Sequence, residues 1–175
     1  MACNPNGDSP MSILKVDTIN EKTSGNGVHI AGHIIQVVSN KPSFSHVTSN
    51  SSSFVEATTA ARTTITPKFL DSKILFHCGL GLGAENTSHD AQSNYQLYDV
   101  TAGAAVANTE SALRTYDYGG SGLYIQVGQH FVVQIDSWGT TAKTFTYYYR
   151  LHAGIRVRLG DENKNTYMTI MEIAQ

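Results

Sequence analysis

The chain has 175 residues, of which 41% are hydrophobic and only 15% are charged, against roughly 25% charged in ordinary globular domains. This length predicts one domain with a core of its own, and a net charge of −2 without a basic run argues against a nucleic-acid partner. No apolar run approaches the ~18 residues that a membrane helix needs, so we expect no membrane insertion.

The first part of the chain predicts a polar arm followed by strands. Residues 1–10, MACNPNGDSP, have the composition of a flexible arm. Residues 12–19 alternate in part like a partly buried strand, and the Asn26-Gly27 dipeptide is typical of a tight turn. Residues 28–38 are β-prone and apolar on both sides, so they need cover on both faces.

The rest of the chain has the pattern of an all-β antiparallel sandwich or barrel. A candidate helix at 99–113 contains Gly103 and Asn108, so we interpret it as a long surface loop. Arg156 and Arg158 are expected to share the outer face of one strand, as solvated charges or as a partner contact. The β-prone segments lie near 43–48, 52–58, 62–66, 72–82, 93–100, 122–136, 143–151, 154–159 and 166–173.

Chemical motifs are sparse. The usual catalytic and phosphate-binding signatures are missing, so we expect a protein that is not an enzyme, although scattered aspartates leave a glycan hydrolase open. Cys78 lies in an apolar run without a convincing pair in Cys3, which predicts a small buried hydrophobe. His29 and His33 would share a face of a strand and could surround a symmetry axis, but no carboxylate or cysteine is spaced to complete a metal site. We therefore expect no metal and no cofactor.

Tyrosines are concentrated in the second half of the chain. Such rings bind sugars and protein surfaces at a low entropic cost. In the run 147–149 the middle residue must face away from its neighbours, and at least one side is expected to be buried. The candidate receptor contacts lie beside a glycine-rich loop tip and in the segment 93–100; they are Tyr116, Asp117, Tyr118, Tyr95 and Tyr98.

Residues 12–38 carry the most informative motifs, which are Leu14-Lys15-Val16-Asp17-Thr18-Ile19, Thr23-Ser24-Gly25-Asn26-Gly27-Val28-His29-Ile30 and Gly32-His33-Ile34. They resemble the L-x-V-D-T-I … T-x-x-G-x-G-V-x-I-x-G segment of fibre-like virion proteins of tailed bacteriophages, especially those of cyanobacteria and other marine hosts. Later segments resemble the C-terminal domain that follows this segment in such proteins; they are Thr64-Ile65-Thr66-Pro67, Ser72-Lys73-Ile74-Leu75, 136–150 and 169–173. The resemblance covers nearly the whole chain past Met11.

The resemblance implies a homotrimeric virion structural protein with an N-terminal β-strand trimerisation segment and a jelly-roll-like β-sandwich knob. Residues 1–38 would form the arm and the trimerisation strands, and residues 39–175 would form the knob. Members of the family often carry this module on a long shaft, whereas only a short polar arm precedes it here. This departure suits a compact tail fibre or tail-tip protein, or a capsid decoration protein.

We therefore expect a virion protein that forms trimers, attaches to other virion proteins and contacts a host-surface glycan or protein through its loops. The alternatives are a capsid decoration protein of the same fold and a surface polysaccharide hydrolase. Candidate trimer-interface residues are Val28, Ile30, Ile34, Ile35 and Val37. Candidate virion-docking residues are Asn4, Pro5, Asn6, Ile13, Leu14 and Val16.

Overall fold

A computed structural model describes residues 18, 20, 30–44, 46–86, 90–116, 123–136, 139–160 and 166–175, with the backbone alone for residues 90, 115, 116, 123–131 and 136. This part of the chain consists of β-strands and one short 3-10 turn, Thr59–Ala61. The strands are β1 Ile34–Asn40, β2 Val47–Ser49, β3 Val55–Glu56, β4 Thr63–Ile65, β5 Lys73–Asn86, β6 Asp90–Asp99, β7 Ala104–Ala105, β8 Ser111–Tyr116, β9 Leu123–Asp136, β10 Lys143–Ala153, β11 Arg156–Leu159 and β12 Tyr167–Ile173. Within the described ranges no helix is long and apolar enough to span a membrane.

The strands form two antiparallel sheets of six strands each. In the first sheet β5 pairs with β9 along one edge and with β12 and then β11 along the other. β1 pairs with β12, and β2 pairs with β11. In the second sheet β6 and β10 pair centrally, β3 and β4 lie beyond β10, and β7 and β8 lie beyond β6. The expected all-β antiparallel sandwich is confirmed.

The core lies between the two sheets because alternate side chains of each long strand point inward. The rings of Phe76 and Phe145 meet edge to face with their centroids 4.8 Å apart, and so join the sheets. Full burial of a large apolar side chain contributes about 1.5–3 kcal/mol, which makes this layer the main source of stability. β5 contributes Ile74, Phe76, Cys78, Leu80, Leu82 and Ala84, and the second sheet contributes Tyr95, Leu97, Phe145, Tyr147 and Tyr149.

Cys78 is the small buried hydrophobe that the sequence predicts. Its side chain is fully buried, and this burial raises the pKa of the thiol to about 12. The buried Tyr147 hydroxyl donates a 2.6 Å hydrogen bond to the carbonyl of Tyr167. Tyr149 is buried on the same side as Tyr147, while Tyr148 faces away, so the predicted division of the tyrosine run is confirmed.

A buried carboxylate holds one edge of the first sheet together. Glu172 of β12 accepts hydrogen bonds from the N–H groups of Lys68 and Phe69 at 2.7 and 3.0 Å and from the Ser72 hydroxyl at 2.7 Å. The Gln36 amide of β1 donates a further bond at 2.6 Å. A buried carboxylate is tolerated when its lone pairs are satisfied in this way. The group thereby joins β1, β12 and the loop before β5.

The structure differs from the sequence expectations in one segment and leaves another outside its range. The segment 99–113, expected to be a loop, contains β7 and part of β8, so that expectation is wrong there. β8 exists because it pairs with β6, a contact that local propensity does not report. β1 pairs along β12 across the expected division between residues 38 and 39. The expected strand at 12–19 lies outside the described residues, apart from Thr18.

Candidate functional site

The outer side of the first sheet carries a band of aliphatic side chains. Strand register places Val37, Met171 and Leu75 in one row and Val132 in the adjoining row. Ile34, Val37 and Val132 expose 55%, 56% and 63% of their area. Exposed apolar surface gathered on one side of a domain is typical of an association site. We call this surface the aliphatic face, formed by Ile34, Val37, Leu75, Val132, Met171 and Ile173.

Polar groups continue the outer side of the same sheet. The hydroxyls of Ser39 and Thr169 share a 2.9 Å hydrogen bond. Tyr167 packs over Gly79, where any Cβ would collide with the tyrosine ring, and its hydroxyl lies 3.3 Å from His77 Nε2. Glycine at position 79 therefore lets the ring lie against the sheet.

The expected trimer-interface residues fall in different places. Ile34 and Val37 lie on the aliphatic face. Ile30 precedes β1 and is 36% exposed, and Ile35 is half-buried in β1. Val28 lies outside the described residues.

The apolar run at 28–38 has two different sides in its described part. The register shifts between Ile34 and Gln36, which is a bulge in β1. After the bulge Gln36 turns inward to Glu172, Val37 points outward and Val38 packs against the core. One side of the run is therefore covered by its own domain, and the other is exposed.

Arg156 and Arg158 share the outer side of β11, as predicted, but they bind a carboxylate. Glu85 of β5 accepts two hydrogen bonds from Arg156, at 2.6 and 2.9 Å, and one from Arg158 at 3.2 Å. The hydrogen bond from Arg156 lowers the pKa of Glu85, and the charges of both arginines add to this effect. The side chains of Arg156 and Arg158 remain 43% and 23% exposed, so they are partly solvated charges that are also paired, because strand register brings Glu85 opposite Arg156.

The outer side of the second sheet has a different chemistry. Tyr98 of β6 and Tyr148 of β10 stack with their ring centroids 3.9 Å apart and their planes 16° apart. Gln96 lies directly opposite Tyr148 and on the same side of β6 as Tyr98. Gln96 is 8% exposed, and among the described residues its amide has no hydrogen-bond partner. We call Tyr98, Tyr148 and Gln96 the tyrosine face.

Ion pairs flank the tyrosine face. Arg62 binds Glu56 in a bidentate pair at 2.7 and 2.8 Å. Arg150 binds Glu110 at 2.9 Å, and the Asn94 amide donates to the same carboxylate at 2.8 Å. The hydrogen bond from Asn94, together with Arg150, lowers the pKa of Glu110. The charges beside the stacked rings are therefore neutralised in pairs.

The expected receptor contacts do not form one surface. Tyr98 is half-buried on the tyrosine face. Tyr95 is 2% exposed and belongs to the core, so its assignment as a contact is wrong. Residues three apart on a strand point to opposite sides, which separates Tyr95 from Tyr98. Tyr116 ends β8, and its side chain lies outside the described part of the chain together with Asp117 and Tyr118.

The remaining candidates lie mostly at the N-terminus. His33 is exposed before β1, and His29 lies outside the described residues. Within the ranges that the structure describes, no group of three or more His, Cys, Asp or Glu side chains is placed to bind a metal. The virion-docking candidates also lie outside those ranges; they are Asn4, Pro5, Asn6, Ile13, Leu14 and Val16.

A depression of about 400 Å³ opens between the loops around β7 and the end of β9. Asp99 at its edge accepts a hydrogen bond from the Ala102 N–H at 3.0 Å and lies 3.7 Å from Lys143 Nζ. Because its charge is used locally, Asp99 holds the loop in place rather than presenting a free acid. The lining residues are Asp99, Ala102, Ala104, Ala105, Val106, Ala107, Asn108, Gln134 and Ile135.

Sequence reasoning does not single out Gln96, Tyr148 or Val132 as surface groups. The alternation in the tyrosine run indicates that Tyr148 faces away from its neighbours. Its stacking on Tyr98, however, depends on the register between β6 and β10. Val132 is exposed because its side of β9 is the outer side of the first sheet, which no local pattern records.

No family model and no curated protein sequence matches the chain. Among solved structures, the chain is similar to the Eiger TNF of S. frugiperda, with 8% sequence identity and a TM-score of 0.47. The alignment covers 79% of this chain and 92% of that one.

Proposed function

We propose that the protein is a non-enzymatic structural component of a bacteriophage virion, a trimeric tail fibre or tail-tip protein. Its N-terminal arm attaches the chain to other virion proteins, and its sandwich contacts the host surface. The motifs of residues 12–38 and their resemblance to fibre-like virion proteins support the class of protein. The aliphatic face supports self-association.

The exposure of the aliphatic face is the main observation in support of a trimer. Ile34, Val37 and Val132 each leave more than half of their area in water. Full burial of such a side chain is worth about 1.5–3 kcal/mol, so covering the exposed half contributes roughly 1 kcal/mol per residue. Obligate interfaces are apolar in this manner, because they resemble a domain core cut in half. A closed ring of three copies repeats the gain at each contact.

The acidic side chains support a protein that is not an enzyme. Hydrolysis of a glycosidic bond requires two converging carboxyl groups. Glu56, Glu85 and Glu110 are each bound by arginine. The carboxylate of Glu172 accepts hydrogen bonds from two backbone N–H groups and from two side chains of other residues. Carboxylates engaged in this way stabilise the fold, so these four glutamates support a binding protein rather than a polysaccharide hydrolase.

Two measurements test the proposal. Light scattering of the purified full chain is expected to give three times the mass of one chain. Immunogold labelling with an antibody against the chain is expected to mark the phage tail. A monomer in solution, or particles without label, would contradict the proposal. Label in many copies over the capsid would reject the tail position and favour the decoration protein.

A further inference from the structure

We propose that the tyrosine face binds a neutral saccharide, with Tyr98 and Tyr148 as the stacking platform and Gln96 as a hydrogen-bonding group. The inference deepens the proposed function, because it names the ligand class of the host contact and moves that contact from the loops to the outer side of the second sheet. It rests on the proposed function only in taking the saccharide to be a host-surface glycan.

The ring pair offers what a sugar needs for stacking. Tyr98 and Tyr148 are stacked on adjacent strands, at a separation of 3.9 Å, so each ring holds the other in place. A ring that is already ordered costs little entropy when a ligand binds. Neither phenolic hydroxyl has a hydrogen-bond partner among the described residues. The pair therefore presents apolar ring surface and two polar tips, which match the C–H faces and hydroxyl groups of a pyranose.

Gln96 supplies the second, independent observation. It lies beside both rings and is 92% buried, since only 8% of it is exposed, yet its amide makes no hydrogen bond within the described chain. The amide atoms at the end of this side chain still reach solvent, so they are available to a hydroxyl group of a ligand. The amide both donates and accepts, as a sugar hydroxyl does. An apolar ligand would leave it unpaired.

The charges beside the rings select a neutral ligand. Arg62 is committed to Glu56 and Arg150 to Glu110, with two positive and two negative charges in all. An acidic ligand would have to compete with a carboxylate that already occupies the guanidinium edge. A protein partner would find few exposed aliphatic groups here, in contrast to the aliphatic face. A neutral, hydroxyl-rich ligand needs no such exchange of partners.

The experiment is isothermal titration of the full chain with defined hexasaccharides. The neutral probes are cellohexaose, mannohexaose and chitohexaose, and the acidic comparison is an alginate hexamer. We expect the native protein to bind at least one neutral probe more tightly than the acidic one. Tyr148→Ala is expected to weaken that binding at least about tenfold, whereas Tyr148→Phe keeps it within about threefold, because the stacking surface remains.

Gln96→Met is the variant that keeps the test independent of folding. It keeps the length and packing of the side chain and removes only the amide, which has no partner in the described protein, so the melting temperature is expected to stay nearly unchanged while saccharide binding weakens about threefold to tenfold. Three results would overturn the inference: no binding of any neutral probe at millimolar concentration, tighter binding of the alginate hexamer, or full affinity in Tyr148→Ala.

The two proposals fail in different ways. A native trimer that labels the phage tail but binds none of the neutral probes would overturn the saccharide site and leave the virion function standing. If the antibody labels no phage particles but the protein binds a neutral hexasaccharide tightly and Tyr148→Ala abolishes that binding, the virion function is rejected and the saccharide site stands. Capture of a virion protein by the tyrosine face, lost in the same variant, would replace the saccharide with a protein partner.

Discussion

The two outer sides of this sandwich follow the same alternation and yet differ in chemistry. On the first sheet, aliphatic groups such as Val37 and Val132 lie in neighbouring rows with little charge between them. On the second sheet, Tyr98 and Tyr148 lie among side chains whose charges are paired within the chain. The difference is the basis of the two proposals, which assign the first side to contact with other protein and the second side to a polar ligand.

The variant with the largest expected effect introduces positive charge into the aliphatic face. The double variant Val37→Lys, Val132→Lys is expected to abolish the trimer, because burying an unpaired ammonium costs several kcal/mol, about two or more powers of ten in association. Light scattering at micromolar concentration should then give the mass of one chain. Leu70→Lys is the matched control, since Leu70 is 71% exposed and lies outside the strands. A double variant that remains trimeric would show that this face is not the interface.

The second prediction concerns the support beneath the aliphatic face. Glu172→Gln is expected to lower the free energy of unfolding by about 2–3 kcal/mol, because buried donors lose a charged acceptor. Urea unfolding measures the change. Glu110→Gln on the opposite sheet serves as the comparison, since the Glu110 side chain is 46% exposed and surface pairs are worth about 0–1 kcal/mol. Equal losses in the two variants would contradict the role assigned to Glu172 in joining β1 to β12.

The third prediction concerns the stacked rings. Tyr148→Ala is expected to lower the free energy of unfolding by about 1–2 kcal/mol and to leave the trimer intact. In a double-mutant cycle with Tyr98→Ala, the two losses should fall short of additivity by about 0.5–1.5 kcal/mol, which is the share due to stacking. Additive losses would mean that the rings stabilise the sheet separately. A monomeric Tyr148→Ala would place the interface on the second sheet instead.

The smallest expected effect is on acid stability. The pKa of Glu85 is lowered in the folded protein, first by the hydrogen bond from Arg156. The ionised carboxylate therefore stabilises the fold above its unfolded pKa of about 4.3, and this contribution is lost as pH falls through the lower folded value. Glu85→Gln should flatten the fall of the melting temperature in that acid range, by an amount corresponding to at most about 1 kcal/mol. An unchanged pH dependence would contradict the ion pair.

Much of the fold could be predicted from local patterns. Strand periodicity locates β5, β9, β10 and β12 and divides the tyrosine run correctly, because alternation in one strand is enough to reveal a buried side. Local periodicity does not predict β7 and β8, because these strands form by pairing with β6. Residue type alone predicts a surface contact for Tyr95, whereas its position in β6 places it in the core.

The candidate surfaces were less accessible to sequence reasoning. The apolar character of the run 28–38 on both sides is enough to predict exposed apolar groups such as Ile34 and Val37. Val132 joins them only because β9 pairs with β5 in a particular register. Tyr98 and Tyr148 are distant in sequence, and Gln96 carries no motif.

Local patterns are enough to predict the all-β class, the inward sides of the long strands and the excess of apolar residues in the first strand of the sandwich. These properties depend on residues within a few positions of one another. The pairing of distant strands places the exposed aliphatic groups on one sheet face and the stacked tyrosines on the other. It also brought Glu85 between two arginines and Glu172 among its donors. The physical reason is that sheet register is fixed by the cooperative packing of all the strands, so a surface built across strands exists only once that packing is complete.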